Sequence, residues 1–428
     1  NFGYNGSENF SPNHRFGFFP SIAVGYVVSN EKFFEPIRDV VSMVKLKASY
    51  GLVGNDQIGG DRRFIYNETV IGGGKYYFGT TPSQYTSVRL GEFPNPNVGW
   101  EKAKKLNLGA DLSFFNQLNI SVDYFKENRE GIFLQRKSIP MYVGLSTKPW
   151  VNIGKMRNSG IDASLEYHQP LGKDLHLTVR GNFTYARNRI MDQDEPDYAY
   201  TYMNHSGQMQ WQKFGLVAAG LFQDQEDIDS WAKQSFGEVK PGDIKYLDLN
   251  GDGIVDNYDT KPIGYSDIPE IVYGFGFSLQ WKAFDLSAFF QGVAHVSFST
   301  LTDQTQAFVG RNLKESSVFA DLYGNTWTPE NPGAKYPRMT TGAIDNNNQL
   351  STFWMANGRY LRLKNLELGY TLPKRIANKI AMQSLRVYLS GVNLFTFSPF
   401  KLWDPDLQTG ATNYPNNRII NLGLTIGF

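Results

Sequence analysis

The sequence predicts an all-β protein, a transmembrane antiparallel β-barrel, on three observations: a composition rich in aromatics and glycine, a period-two alternation of apolar and polar residues, and connections that are short and long by turns. Aromatic residues make up 15% of the 428 residues, charged residues only 19%, and 42 residues are glycine. That balance favours strands and turns over helices or disordered chain. Lysine plus arginine (42) nearly equals aspartate plus glutamate (41), so no broad field draws in nucleic acid, and none is expected as a partner. The lack of cysteine excludes disulfides, thiolate metal sites and a cysteine nucleophile. No run of eighteen apolar residues exists to span a bilayer as a helix. The opening "NFGYNGSENF" has neither an initiator methionine nor a signal-peptide pattern, which suggests a mature fragment without its N-terminal part.

The strands follow in order. From Lys105, Leu106, Leu108, Ala110, Leu112 and Phe114 share one face, and Asn107, Gly109, Asp111 and Ser113 the other. Next, Leu118, Ile120, Val122 and Tyr124 oppose Asn119, Ser121 and Asp123, and then Ile161, Ala163, Leu165 and Tyr167 oppose Asp162, Ser164, Glu166 and His168. Ile271, Tyr273, Phe275, Phe277, Leu279 and Trp281 form another stripe, followed by Phe284, Leu286, Ala288 and Phe290. Between Tyr360 and Thr371 the apolar phase shifts, as a bulge near Asn365 would produce. The C-terminal run alternates Ile420, Leu422, Leu424, Ile426 and Phe428 with Asn421, Gly423, Thr425 and Gly427. About twelve such segments occur.

A soluble sandwich or β-helix shares this period, with its apolar faces meeting in a core; a membrane barrel turns them to lipid. Connection lengths separate the two. Tight or short joints such as "FFNQ", "HQPLGKD", "WKAFD" and "LPKRIANKIAMQSL" alternate with long ones, about Gly54–Gly99, Ile190–Pro269, Thr300–Asn357 and Phe397–Asn417. Outer-membrane barrels have short periplasmic turns and long external loops; a sandwich has no reason to sort its loops by end.

The external segment 190–270 contains "DLNGDGIVDNYD", residues 248–259. Counted from Asp248, oxygen ligands fall at EF-hand spacing: Asp248, Asn250, Asp252, the Ile254 carbonyl, Asp256 and Asp259, with glycine at position six. The expected ligand is a structural Ca2+, a brace for the loop; the alternative is an Asp/Asn/Gly turn held by side-chain to backbone bonds. No HExxH, GxSxG or phosphate-loop pattern occurs and the five histidines are scattered, so no enzyme is expected. Aromatics crowd the external loops, with Tyr198, Tyr200, Tyr202 and Trp211 in one, Phe319, Tyr323, Trp327 and Trp354 in a second, and Phe400, Trp403 and Tyr414 in a third. Such rings suit stacking on sugars, contact with peptide side chains, docking of a partner, or packing of the loops themselves.

Several segments carry a resemblance. "GDIKYLDLNGDGIVDNYDTKPIG", followed by "YGFGFSLQWKAFDLSAFFQGVA", and also "NHRFGFFPSIAVGYVVSNEKFF", "NGRYLRLKNLELGYTLPKRI" and "LRVYLSGVNLFTFSPFKLWDPD" are similar to the SusC/RagA family of TonB-dependent outer-membrane transporters. The resemblance spans nearly the whole chain. It implies a 22-stranded barrel closed by a plug, of which residues 1–428 supply the C-terminal part, about twelve strands, without plug or TonB box. It further implies import of oligosaccharides or peptides with a SusD-like surface lipoprotein, energy from TonB–ExbB–ExbD, a setting in outer-membrane lipid, and Phe428 as a signal to the barrel-insertion machinery. Two other readings stay open, an assembly role for the same barrel and a soluble carbohydrate-binding protein.

Overall fold

The computed structural model describes residues 1–59, 62–145, 147–302, 305–306, 318–380, 382–410 and 413–427; Phe428 lies outside the described residues. Twelve strands form one antiparallel sheet: β1 (Phe2–Gly6), β2 (Phe16–Val27), β3 (Val41–Asn55), β4 (Glu101–Phe114), β5 (Leu118–Gln135), β6 (Trp150–Pro170), β7 (Leu175–Asp192), β8 (Ile271–Trp281), β9 (Phe284–Ala294), β10 (Tyr360–Thr371), β11 (Ser384–Phe397) and β12 (Ile419–Gly427). Their order in the sheet is their order in the chain, so each strand pairs with its sequence neighbours, and the alternation of loop ends expected above follows. Residues 115–117, 171–174 and 282–283 turn tightly at one end, and 28–40 and 372–383 cross there through short helical turns. The described residues of 56–100, 193–270, 295–359 and 398–418 emerge at the other.

The apolar stripes are exposed, which decides against a sandwich. Ile22 is 67% exposed, Leu108 46% and Leu422 78%, and Val24, Tyr124, Ile161, Phe275, Leu389 and Leu424 share this character. Among the described residues no second sheet covers them; in a membrane, lipid does. Across the sheet the stripes align, with Leu108 opposite Ala48 and Tyr124 and Leu422 opposite Leu389. The other face carries charge in compensated groups. The Lys47 ammonium lies 2.7 Å from Asp111 and 3.3 Å from Asp123, and the Ser121 hydroxyl donates to Asp111 at 2.7 Å. Nearer the turns, the Arg386 guanidinium pairs with Asp285 and with Glu367 at 2.6 Å.

The phase shift in β10 is a bulge. Its neighbours skip from Leu363 to Asn365 on both sides, leaving Lys364 without a partner in either ladder, so the residues before and after it reach the lipid face with opposite parity. The face assignment yields a prediction. Arginine at Leu108, midway along β4, is expected to cost about 2–4 kcal/mol of barrel stability, and a change at Asn107 far less. Reversible unfolding of the intact barrel in lipid vesicles measures both, and equal tolerance at the two positions would overturn the assignment.

Candidate functional site: the extracellular loops

Two of the long loops fold together into a small body with its own core. Leu216, Leu221, Ile244, Tyr246 and Val255 from residues 193–270 pack with Leu322, Trp327, Tyr336 and Trp354 from 295–359. Short ladders, Ala218–Leu221 with Ile244–Tyr246 and Lys213–Gly215 with Lys261–Ile263, give the first loop its shape. Asp243 fastens the two loops. Its carboxylate is fully buried, meets Arg338 at 2.8 Å, and accepts hydrogen bonds from the Asn347 side chain at 2.9 Å and the Lys240 amide at 2.8 Å. Asn347 in turn accepts the Ile244 N–H at 2.8 Å, and the Tyr246 hydroxyl donates to the Asn346 carbonyl at 2.9 Å. Burial pushes the Tyr246 phenol far above its usual range.

The loop 398–418 is tied down separately. Arg362, 2% exposed on β10, pairs with Asp404 and, at 2.6 Å, with Asp406. It also donates to the Thr396 hydroxyl at 3.0 Å, while the Tyr360 hydroxyl donates to Asp406. A third tie joins residues 136–149 to the start of 193–270. Asp194 accepts from the Arg136 guanidinium at 2.9 Å, the Lys137 and Ser138 amides at 2.7 and 3.1 Å, and the Ser138 hydroxyl at 2.9 Å. Burial opposes ionisation of this carboxyl, but the Ser138 amide and the Arg136 guanidinium outweigh it and hold its pKa down at about 2. Because the folded value lies below the unfolded one, near 3.9, this contribution is complete above about pH 4 and lost as pH falls toward 2. Hydrogen exchange at the Lys137 and Ser138 amides should therefore accelerate between pH 4 and 2, beyond the intrinsic trend; a flat response would sink the linkage.

The aspartate loop docks on the same body through Val255, which is fully buried in the core. Its carboxylates are turned to the loop's own backbone. Asp248 accepts the Gly251 and Gly253 amides at 2.7 and 2.8 Å, Asp252 the Ile254 amide at 2.8 Å, and Asp256 the Tyr258 amide at 2.7 Å. Fully buried Asp259 accepts the Leu249, Asn250 and Asp256 amides at 2.7, 3.3 and 2.8 Å. Gly251 and Gly253 adopt φ of +78° and +85°, a region side chains resist, so glycine is needed at both. Among the described residues, no three His, Cys, Asp or Glu side chains are gathered as a metal-holding group. None of the four aspartates forms an ion pair among the described residues, although Lys213 and Lys245 do so nearby.

The aromatic residues expected to meet cargo or a partner fall into different settings. Tyr200 and Tyr202 stack at 5.3 Å, Tyr258 of the aspartate loop packs edge-on against Tyr200 at 6.2 Å, and the Tyr202 hydroxyl donates to the Tyr258 carbonyl at 2.8 Å. Burial, with Asp259, Asp248 and Asp252 nearby, raises the Tyr202 phenol above its usual range. Trp327 and Trp354 belong to the core, where they pack on protein. Trp403 is edge-on to Phe400 at 4.7 Å and donates to the Gln408 carbonyl at 2.7 Å. Trp211 and Tyr414 are open to solvent, at 61% and 81% exposure.

The description "TonB dependent receptor-like, beta-barrel" matches residues 1–394. The chain belongs to that family. It is 30% identical to TonB-dependent receptor P3 of Formosa agariphila, over 99% of this chain and 43% of that protein. To TonB-dependent receptor SusC of Bacteroides thetaiotaomicron it is 26% identical, over 99% and 41%. Its fold matches the structure of the RagAB peptide transporter with a TM-score of 0.74 at 22% identity, covering 99% of this chain and 45% of that one. The chain thus spans less than half the length of these relatives. This TonB-dependent receptor barrel is an outer-membrane protein of a transport family and no enzyme, which sets the soluble reading aside. Sequence reasoning missed Asp243, Arg338, Asp194 and Arg362. Two of them, Asp243 and Arg362, fall inside the quoted segments, and nothing in the alternation distinguishes an arginine that faces water from one that clasps a loop.

Proposed function

We propose that this barrel works in TonB-dependent import of oligosaccharides or peptides, its extracellular loops forming the entrance and seating a SusD-like lipoprotein. One observation carries the reading: two loops form a built body with its own core, Asp194 ties 136–149 to it, Arg362 holds 398–418 on β10, and Trp211 and Tyr414 stay open to solvent. A passive pore needs no such structure. The fold of the RagAB peptide transporter and the relationship to SusC support it. Energy would come from TonB–ExbB–ExbD through parts of the protein beyond these strands. Deleting the gene in its native host and measuring uptake of labelled oligopeptides and oligosaccharides tests this. Loss of one class, mimicked by deleting tonB, supports import; intact uptake of both, with disturbed assembly of other surface proteins, favours the assembly role.

The aspartate loop is proposed to hold Ca2+. Its donors fit a hard cation in kind, being oxygens of four carboxylates and an amide, and a carboxylate that accepts one to three amides keeps further lone pairs. Buried Asp259 has no cationic partner among the described residues, a costly state for a charge that a bound cation would relieve. Asp248, Asn250, Asp252, Asp256 and Asp259, with the Ile254 carbonyl, would hold it; when bound, the ion supplies cross-linking charge and no chemistry. Chelation of the intact protein is expected to speed proteolysis within 248–259, with Asp252→Ala fast in either state and the barrel still folded. If chelation changes nothing while Asp252→Ala still loosens the loop, the segment is a hydrogen-bonded turn only.

A further inference from the structure

At the periplasmic end of β8–β10, four cations adjoin an aromatic patch that the transport reading does not use. Trp281 lies opposite Phe284, and Phe284 opposite Tyr370; the ring centroids are 6.3 and 4.7 Å apart. All three belong to the lipid-facing stripe, with Trp281 and Phe284 about half exposed. Aromatic rings of this kind settle at the boundary between hydrocarbon and headgroups. Just beyond that boundary, the Lys282 ammonium sits 5.9 Å from the Trp281 ring centre. The next turn, 372–383, opens with Pro373 and a short helix, Lys374–Ala377. Ala377 is buried, Ile376 is exposed, and Lys374, Arg375 and Lys379 stand in solvent.

None of these four cations is in an ion pair among the described residues, whereas the carboxylates on the neighbouring strands, Asp285 and Glu367, are taken by Arg386. Asp174 lies in the adjoining turn beside Lys173, and its backbone carbonyl accepts the Lys282 amide at 2.9 Å. Between the two turns is an open cleft lined by Lys282, Phe284, Leu372, Pro373 and Asp285, the last held by Arg386; Lys374, Arg375 and Lys379 follow Pro373 on the turn beside it. On the lipid-facing stripe of the same strand as Tyr370, Leu368 is also exposed.

We infer that this cleft holds the headgroup phosphate of an anionic phospholipid of the periplasmic leaflet. Lys282, Lys374, Arg375 and Lys379 face the phosphate, Ile376 dips toward the acyl region, and the chains lie along Phe284, Tyr370 and Leu368. Unpaired cations attract an anionic headgroup by about fivefold in affinity for each one near the surface. Aromatic rings on the lipid-facing strands and four unpaired cations on the adjoining turns give the polarity of a phospholipid. A periplasmic protein docking here would have to reach into the headgroup layer to cover Phe284.

The test uses the full-length protein in detergent micelles, counting bound lipids by native mass spectrometry with phosphatidylglycerol and phosphatidylcholine as probes. The wild type is expected to prefer phosphatidylglycerol by more than about tenfold, and the combined variant Lys282→Gln, Lys374→Gln, Arg375→Gln, Lys379→Gln to lose that preference. Neutralising two exposed extracellular lysines, Lys233→Gln and Lys401→Gln, should leave it intact. If the combined variant does not fold, raising salt on the wild type serves instead, and the preference should collapse as charges are screened. A preference retained in the variant or in high salt overturns the proposal, as does its absence in the wild type or binding of a periplasmic protein that survives delipidation.

Discussion

Replacing Arg338 by methionine is expected to open the extracellular body, at a cost of about 3–5 kcal/mol, the range for stranding one member of a buried ion pair. Asp243 would remain fully buried with only the Asn347 and Lys240 N–H groups as partners, and these do not neutralise a charge. The loss should fall on the loops and spare the barrel, whose strands make their own hydrogen bonds. Amide exchange at Ile244 and Tyr246 should rise by orders of magnitude while strand amides near Leu108 keep their protection. Adding Asp243→Asn to Arg338→Met removes the stranded charge and should restore part of the stability, a coupling that a double-mutant cycle measures. A cost below about 1 kcal/mol for the single change would show that water reaches the carboxylate and that the Asp243–Arg338 pair does not fasten the loops.

Replacing Arg362 by methionine is expected to release residues 398–418 at a cost of about 2–5 kcal/mol. The guanidinium is 2% exposed and serves Asp404, Asp406 and Thr396 at once. Lysine in its place keeps the charge but has no fork to span two carboxylates, so Arg362→Lys should recover less than half of the loss. Because Asp406 is a third exposed, the lower part of the range is the better expectation. Crosslinking or spin-label distances from Trp403 to β10 would report the release. A loop that stays seated in the methionine variant would assign the hold to the Trp403 and Phe400 packing instead.

The strands were legible because lipid imposes one rule on every outward position. Leu106 to Phe114 and Ile420 to Ile426 obey it without exception, and even the break in β10 announced itself within one residue of the bulge at Lys364. The sorting of connections by length was legible because outer-membrane barrels keep short turns at one end and long loops at the other. The loops followed no such rule. Their core draws on Leu216, Tyr246, Trp327 and Trp354, residues far apart in sequence and in no shared period, so Trp327 and Trp354 read equally well as cargo contacts. The spacing of the aspartate loop suggested oxygen ligands for Ca2+ with a hydrogen-bonded turn as the alternative, and it gave no sign that Asp259 would turn toward the amides of Leu249 and Asn250.

The two-residue turn at 282–283 bears on the order in which the molecule can be built. Asp243 and Arg338 lie on loops separated along the chain by the whole of β8 and β9. Closing so large a ring in a free chain costs entropy that grows with its length. Once β8 and β9 zip, Ile271 lies against Ala294, and the last residues of one loop stand beside the first of the next. The ring that remains is bounded by a rigid hairpin. The surface body therefore assembles late, on a template that the membrane strands supply, and variants that slow the zipping of β8 and β9 should delay burial of Asp243 by the same factor.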